Sequence, residues 1–143
     1  MQVSSRFTIA LHIFAAMDYF KDTNKITSDF LASSVNVNPV IIRKIMSQLR
    51  DAGLVKIQRG TGGIELTREP DQITFLDIFN AVDSLEDGKL FHFHENPNAA
   101  CPVGGNIHAV LDDKLDDIQL GLEDKLKKYT VADVINDTEK IAG

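Results

Sequence analysis

The sequence predicts a mainly α-helical chain carrying one small β-hairpin, and three observations predict it. Apolar residues recur at three- and four-residue steps along most of the 143 positions. Short β-type runs occur in one place only, Val55-Lys56-Ile57 and Ile64-Glu65-Leu66, on either side of a glycine-rich turn. Toward the C-terminus, Ile107, Leu111, Leu115, Ile118 and Leu122 step by four, four, three and four, which approximates a coiled-coil seam.

Each element has its own signals. Ser4 or Ser5 can cap a first helix running to about Phe20. Phe7, Ile9, Ala10, Leu11, Ile13, Phe14 and Met17 are too many for one stripe, so this helix is expected to be buried on more than one side, with His12 packed and hydrogen-bonded. Thr27 or Ser28 can cap a second helix ending near Val35, with Phe30 and Leu31 inward. After a tight turn at Asn36-Val37, Asn38 is a good N-cap and Pro39 takes the favoured first helical position. The third helix places Ile42, Ile45, Met46 and Leu49 toward the core and stops at Gly53. Two helices so closely linked fit a helix-turn-helix. The hairpin around Gly60-Thr61-Gly62-Gly63 follows directly as a wing. Thr74 can cap a short helix over Phe75–Val82, and residues 84–105 are looser, with Gly, Pro and Asn. A long helix is expected over about Asn106–Lys128. Thr130 caps a last one, with Asp133 placed for a capping box. The predicted organisation is a winged helix-turn-helix at 1–83, a linker or sensor segment at 84–105, and a dimerisation helix with a C-terminal helix at 106–143.

A hydrophobic fraction of 43% and a charged fraction of 25% suit a folded globular chain. No apolar run approaches the roughly 18–20 residues of a membrane span. The first residues lack the apolar core of a signal peptide. A single cysteine excludes an intrachain disulfide. A cytoplasmic protein without a membrane partner is expected. The net charge of −6 is unevenly placed: residues 1–70 hold nine Lys/Arg against six Asp/Glu, and residues 71–143 hold six against fifteen. A basic first half can meet a polyanion while the acidic half faces away, because salt screens charge beyond about 8–10 Å.

The outward positions of the third helix are Asn38, Val40, Ile41, Arg43, Lys44, Ser47 and Gln48. Arg and Lys can donate to guanine, Gln can read adenine, and Val40 and Ile41 can touch thymine methyls. Arg59 at the hairpin apex suits a narrow minor groove, and Thr61 stands beside it among glycines that allow close approach. Taken alone, an amphipathic helix or a surface hairpin is ordinary. Order, spacing and charge asymmetry together favour double-stranded DNA as the partner.

The stretches Ile42-Arg43-Lys44-Ile45-Met46-Ser47-Gln48-Leu49-Arg50-Asp51-Ala52-Gly53-Leu54-Val55 and Arg59-Gly60-Thr61-Gly62-Gly63-Ile64-Glu65-Leu66 resemble the Rrf-two family of bacterial regulators, the IscR, NsrR and CymR group. The resemblance resumes at Cys101-Pro102-Val103 and continues to Tyr129-Thr130-Val131-Ala132-Asp133-Val134, so it covers nearly the whole chain. It implies a homodimer whose long helices cross, and the apolar seam Ile107, Leu111, Leu115, Ile118 and Leu122 is the expected interface. It also implies a transcription regulator, a repressor by expectation, on a palindromic operator. A winged helix used only for protein–protein assembly is the alternative, but it has no need of Arg43, Lys44 and Arg59.

Several members of the family hold an iron–sulfur cluster on three cysteines before the long helix. Only Cys101 matches. The other two positions fall near Lys89 and Glu95, so no cofactor is expected and the chain resembles the cluster-less members. His92, His94, Cys101 and His108 match no known zinc spacing, although His92-Phe93-His94 as a strand would put both rings on one side. Cys101 precedes a helix start, where a thiol pKa is lowered. It is the candidate redox sensor, with packing as the plainer role. The candidate signals are an oxidant, an electrophile or a small-molecule effector. No phosphate-cradling loop and no nucleophile elbow is present, and no enzyme is expected.

Overall fold

A computed structural model describes residues 3–60 and 63–143. Helix α1, Arg6–Tyr19, is the central strut of the head: Ala10, Ile13, Phe14, Ala16 and Met17 are buried in it. The Ser5 side chain makes no cap bond. The Ser4 hydroxyl accepts from the Arg6 N–H at 3.1 Å instead. His12 keeps its expected hydrogen bond, to Ser34 at 2.9 Å, but the ring is exposed. Helix α2, Ser28–Val35, is capped by the Thr27 hydroxyl, which accepts from the Phe30 N–H. It ends on Asn36 in the left-handed region at φ 64°, a conformation that Asn tolerates through its short polar side chain.

Helix α3, Pro39–Asp51, leads into strands β1, Val55–Ile57, and β2, Ile64–Leu66. The strands are antiparallel, pairing Val55 with Leu66, Lys56 with Glu65 and Ile57 with Ile64. Helix α4, Phe75–Ala81, starts in a capping box between Thr74 and Asp77. Helix α6, Val131–Ala142, starts in the expected box between Thr130 and Asp133. These two starts are joined: Thr74 bridges Thr130, the Phe75 N–H donates to the Tyr129 carbonyl, and the Val131 N–H donates to the Ile73 carbonyl, both at 2.9 Å. Val131 and Ile135 therefore enter the same core as Ile13, Ile42, Ile45 and Leu49, and α6 packs along α1. The sequence groups α6 with the long helix. The structure puts it in the head.

The long helix α5, Ile107–Leu126, stands apart from that core. Leu126 is its single buried residue, while Val110, Ile118 and Leu120 are more than half exposed. It is tied to the head by α4 and by the irregular segment between α4 and α5, which holds two short 3-10 turns. The Leu90 N–H donates to Gln119 Oε1 at 3.0 Å, and Gln119 Nε2 donates to the Gly88 carbonyl at 2.9 Å. Residues 91–94 form no strand, so the two histidine rings are not aligned by one. Phe93 stacks on His108 of α5 with ring centres 3.9 Å apart.

Candidate nucleic-acid interface

The presentation of α3 follows from its two ends. At the start, the Asn38 side chain accepts from the Val40 N–H at 2.9 Å, and Pro39 needs no amide partner there. At the finish, the Leu54 N–H donates to the Leu49 carbonyl and the Gly53 N–H to the Arg50 carbonyl. That pair is a Schellman motif, with Gly53 in the left-handed region at φ 78°. Leu54 and Leu49, both buried, make its apolar contact. The motif sends the chain directly from α3 into β1, so helix and hairpin form one rigid unit.

With Ile42, Ile45, Met46 and Leu49 buried, the outer face of α3 is Val40, Arg43, Lys44 and Ser47, at helical steps of three, one and three. Val40 is 60% exposed and Ile41 43%. Val40 in particular leaves most of its side chain outside the core of the head. Arg43 and Lys44 are exposed and form no ion pair among the described residues, whereas the neighbouring Arg50 is engaged by Asp51 at 3.2 Å. Ser47 and Gln48 are half-buried, and Gln48 Oε1 is shielded from solvent with no partner among the described residues. The flank position of Gln48 is deeper than its helical angle implies.

In the wing, Lys56 is paired across the strands with Glu65 at 3.3 Å, and the Gln58 N–H closes on the Gly63 carbonyl at 2.8 Å. Arg59 and Gly60 extend from this closure, exposed, with Gly60 at φ 80°. Thr61 lies outside the described residues. The cations Arg43, Lys44 and Arg59, which form no ion pair among the described residues, thus come from two adjoining elements.

Cys101 is half-buried in the segment before α5. Backbone N–H groups of Gly104 and then Val103 face its sulfur and hold the thiol pKa below its ordinary value. Gly104 and Gly105 fit tightly there: a Cβ on either would stand 2.6 Å from the carbonyl oxygen of Asn98 or Ala99. On α5, Ile107, Leu111, Leu115 and Leu122 are half-buried and Ile118 is 51% exposed. Leu115 also lines a groove shared with Phe91 and Phe93. Sequence reasoning gave no role to Phe91 or Gln119. The alternation Phe91-His92-Phe93 is the one local signal for that groove.

An α3 with an open polar and aliphatic first turn, followed by a hairpin, defines a winged helix-turn-helix protein. The chain matches the Rrf2 family, described as iron-dependent transcriptional regulators, over residues 3–137, and it belongs to that family. It is 35% identical over 134 residues to YwnA of Bacillus subtilis (strain 168), assigned as an HTH-type transcriptional regulator, covering 94% of this chain and 97% of YwnA. A crystal structure assigned as a DNA-binding protein superposes with a TM-score of 0.73 at 30% identity, covering 92% of this chain and 99% of the other. CymR, the global cysteine regulator of Bacillus subtilis, shares the fold at a TM-score of 0.65 and 23% identity, with 95% and 97% covered. The iron dependence in the family description does not fit this chain's donor set. One cysteine cannot supply the thiolates of a cluster, and no group of three His, Cys, Asp or Glu side chains is placed for a metal among the described residues. No described helix is long and apolar enough to cross a membrane.

Proposed function

We propose that the chain is a sequence-specific DNA-binding regulator that acts as a homodimer on a palindromic operator, as a repressor. The observation that supports this most is the outer face of α3, where Val40 and Ile41 are exposed beside Arg43 and Lys44, neither in an ion pair among the described residues. Folding does not require such a set, and the edges of base pairs in a major groove match it. Arg59 on the wing adds a minor-groove or phosphate contact. The relatives named above are assigned to transcription regulation and to DNA binding, which agrees. Homodimerisation rests on the apolar side of α5, which this chain's own head leaves largely open. The division at 1–83 and 84–105 is kept for function, and 106–143 is split between α5 as the dimerisation helix and α6, which docks on the head.

The signal we assign to the segment before α5, with Cys101 as the thiol that an oxidant or electrophile would modify, and a small-molecule effector as the alternative. The test is selection of bound duplexes from a random library, followed by mobility shifts. A palindromic consensus bound by the wild type, and weakened binding by Arg43→Ala and Lys44→Ala, is the expected result. Failure to enrich any sequence, with the protein folded, would return the chain to the class of assembly modules.

A further inference from the structure

We propose that the groove between residues 89–93 and α5 binds lipophilic organic cations, aryl quaternary ammonium compounds or delocalised dye cations. The groove is a cavity of about 420 Å³, a size suited to a small organic molecule. Its apolar walls are Phe91, Phe93, Leu115 and Leu120. Its polar rim is acidic: Asp112, Asp116 and Glu123 from α5. The Asp116 and Glu123 carboxylates form no hydrogen bond or ion pair among the described residues, and Asp112 stands 3.5 Å from His108 Nδ1. Lys89 contributes the one fixed positive charge of the lining, so carboxylates outnumber it three to one.

These features select by charge. Aromatic faces attract cations through their quadrupole, and unpaired carboxylates at the rim add to that attraction. An anion of the same shape is repelled. The groove is also preformed. The two hydrogen bonds of Gln119, to Leu90 and Gly88, strap its outer wall to α5, and the stacking of Phe93 on His108 holds that ring. A preformed site loses little entropy on binding. Since the strap joins α4 to α5, an occupant would bear on how the head sits on the long helix. That coupling rests on the DNA-binding reading above, but the binding itself does not.

The test is a fluorescence anisotropy titration of the full chain with rhodamine 6G, a cation, and with fluorescein, an anion of related shape. Saturable binding of rhodamine 6G at one site per chain is expected, without binding of fluorescein. The double variant Asp116→Asn/Glu123→Gln should weaken it about tenfold. The variant Phe93→Leu keeps a large apolar side chain but loses the π face, and should weaken it about threefold. The pair Asp113→Asn/Asp117→Asn, on α5 but outside the groove lining, should change it less than about twofold. Thermal melts by circular dichroism establish that each variant is folded. Absence of saturable binding, equal binding of fluorescein, or equal loss in both acidic pairs would overturn the proposal. So would sedimentation showing that Asp116→Asn/Glu123→Gln dissociates an oligomer, because a second copy would then occupy the groove. None of these measurements uses DNA, so failure here and failure of the DNA-binding reading are told apart.

Discussion

Arg43 and Lys44 are adjacent in sequence but point about 100° apart around α3, one on each side of the Val40–Ser47 line. Two cations spread in this way can reach a base edge and the flanking phosphates together. If Arg43 forks to a guanine, Arg43→Ala should cost about 1–3 kcal/mol and relax preference at one operator position. If Lys44 meets a phosphate, Lys44→Ala should weaken all sequences alike and lower the salt slope by about one. Mobility shifts against a panel of single-base operator variants, at several salt concentrations, separate the two roles. Unchanged affinity in both variants would mean that this face of α3 does not touch the duplex. At Cys101 the physical cause is local. Backbone N–H groups of Gly104 and Val103 stabilise the thiolate more than the thiol. The rate of alkylation by iodoacetamide follows the thiolate fraction, so its midpoint in pH should lie below that of an ordinary free cysteine. A midpoint at the ordinary value would remove the physical basis for a sensor. If the thiol does carry a signal, diamide should weaken operator binding by the wild type and leave Cys101→Ser unaffected.

The Schellman motif at Gly53 joins α3 to the wing, and its energetics are separable from packing. A Cβ at Gly53 would meet nothing within 4 Å, yet the residue sits at φ 78°. Gly53→Ala should therefore cost only the left-handed backbone preference, about 1–2 kcal/mol. Chemical denaturation should show that loss with an unchanged m-value. A neutral effect would mean that the motif relaxes to another geometry. Gly104 presents the opposite case, since its Cβ would collide with the Asn98 carbonyl. The elements that sequence revealed well are those closed by neighbours in the chain. Thr27, Asn38 and Thr130 cap the helices they precede, Gly53 ends α3, and the hairpin forms where its β-type runs flank glycines. What sequence did not reveal is long-range. Nothing in the local pattern around Thr74 announces its bridge to Thr130, or that α6 would leave α5 and lie along α1. The same holds for the Arg6 guanidinium, which donates to the Val82 and Asp83 carbonyls from the far end of the head. Within the candidate interface, Val40, Ile41, Arg43 and Lys44 were legible because the apolar period of α3 fixes its outer face. The burial of the Gln48 carbonyl oxygen was not, since it depends on which other elements crowd the flank.

At the scale of the whole molecule, the two halves divide their work by charge and by apolar surface. The positively charged half contains α3 and the wing, while the acidic half contains α5. A dimer joined through the long helices would present two heads and keep their carboxylates clear of the duplex. The apolar face of α5 supplies the physical reason for association. Val110 and Ile118 stand about half exposed on a helix whose single buried residue is Leu126. Such a row is costly to leave in water and gains by meeting its symmetry mate. Ile118 is the residue on which to test this. Because it already faces solvent in the single chain, Ile118→Asp should leave the protomer's own core unchanged and lower the thermal transition only by the stabilisation that dimerisation lends. In a twofold dimer the substitution removes two buried side chains at once. Ile118 is 51% exposed in the single chain, so each forfeits about half of the roughly 1.5–3 kcal/mol of a full burial, and both place a carboxylate at the seam. Dimerisation should weaken by at least about a hundredfold, since every 1.4 kcal/mol is a factor of ten. Analytical ultracentrifugation at micromolar concentration should find wild-type dimers and Ile118→Asp monomers, with matching far-ultraviolet circular dichroism. Operator affinity should fall in parallel, because a palindrome engages two heads and a lone head keeps only half the contacts. A variant that stays dimeric and binds the operator like the wild type would place the dimer interface elsewhere than on this face of α5.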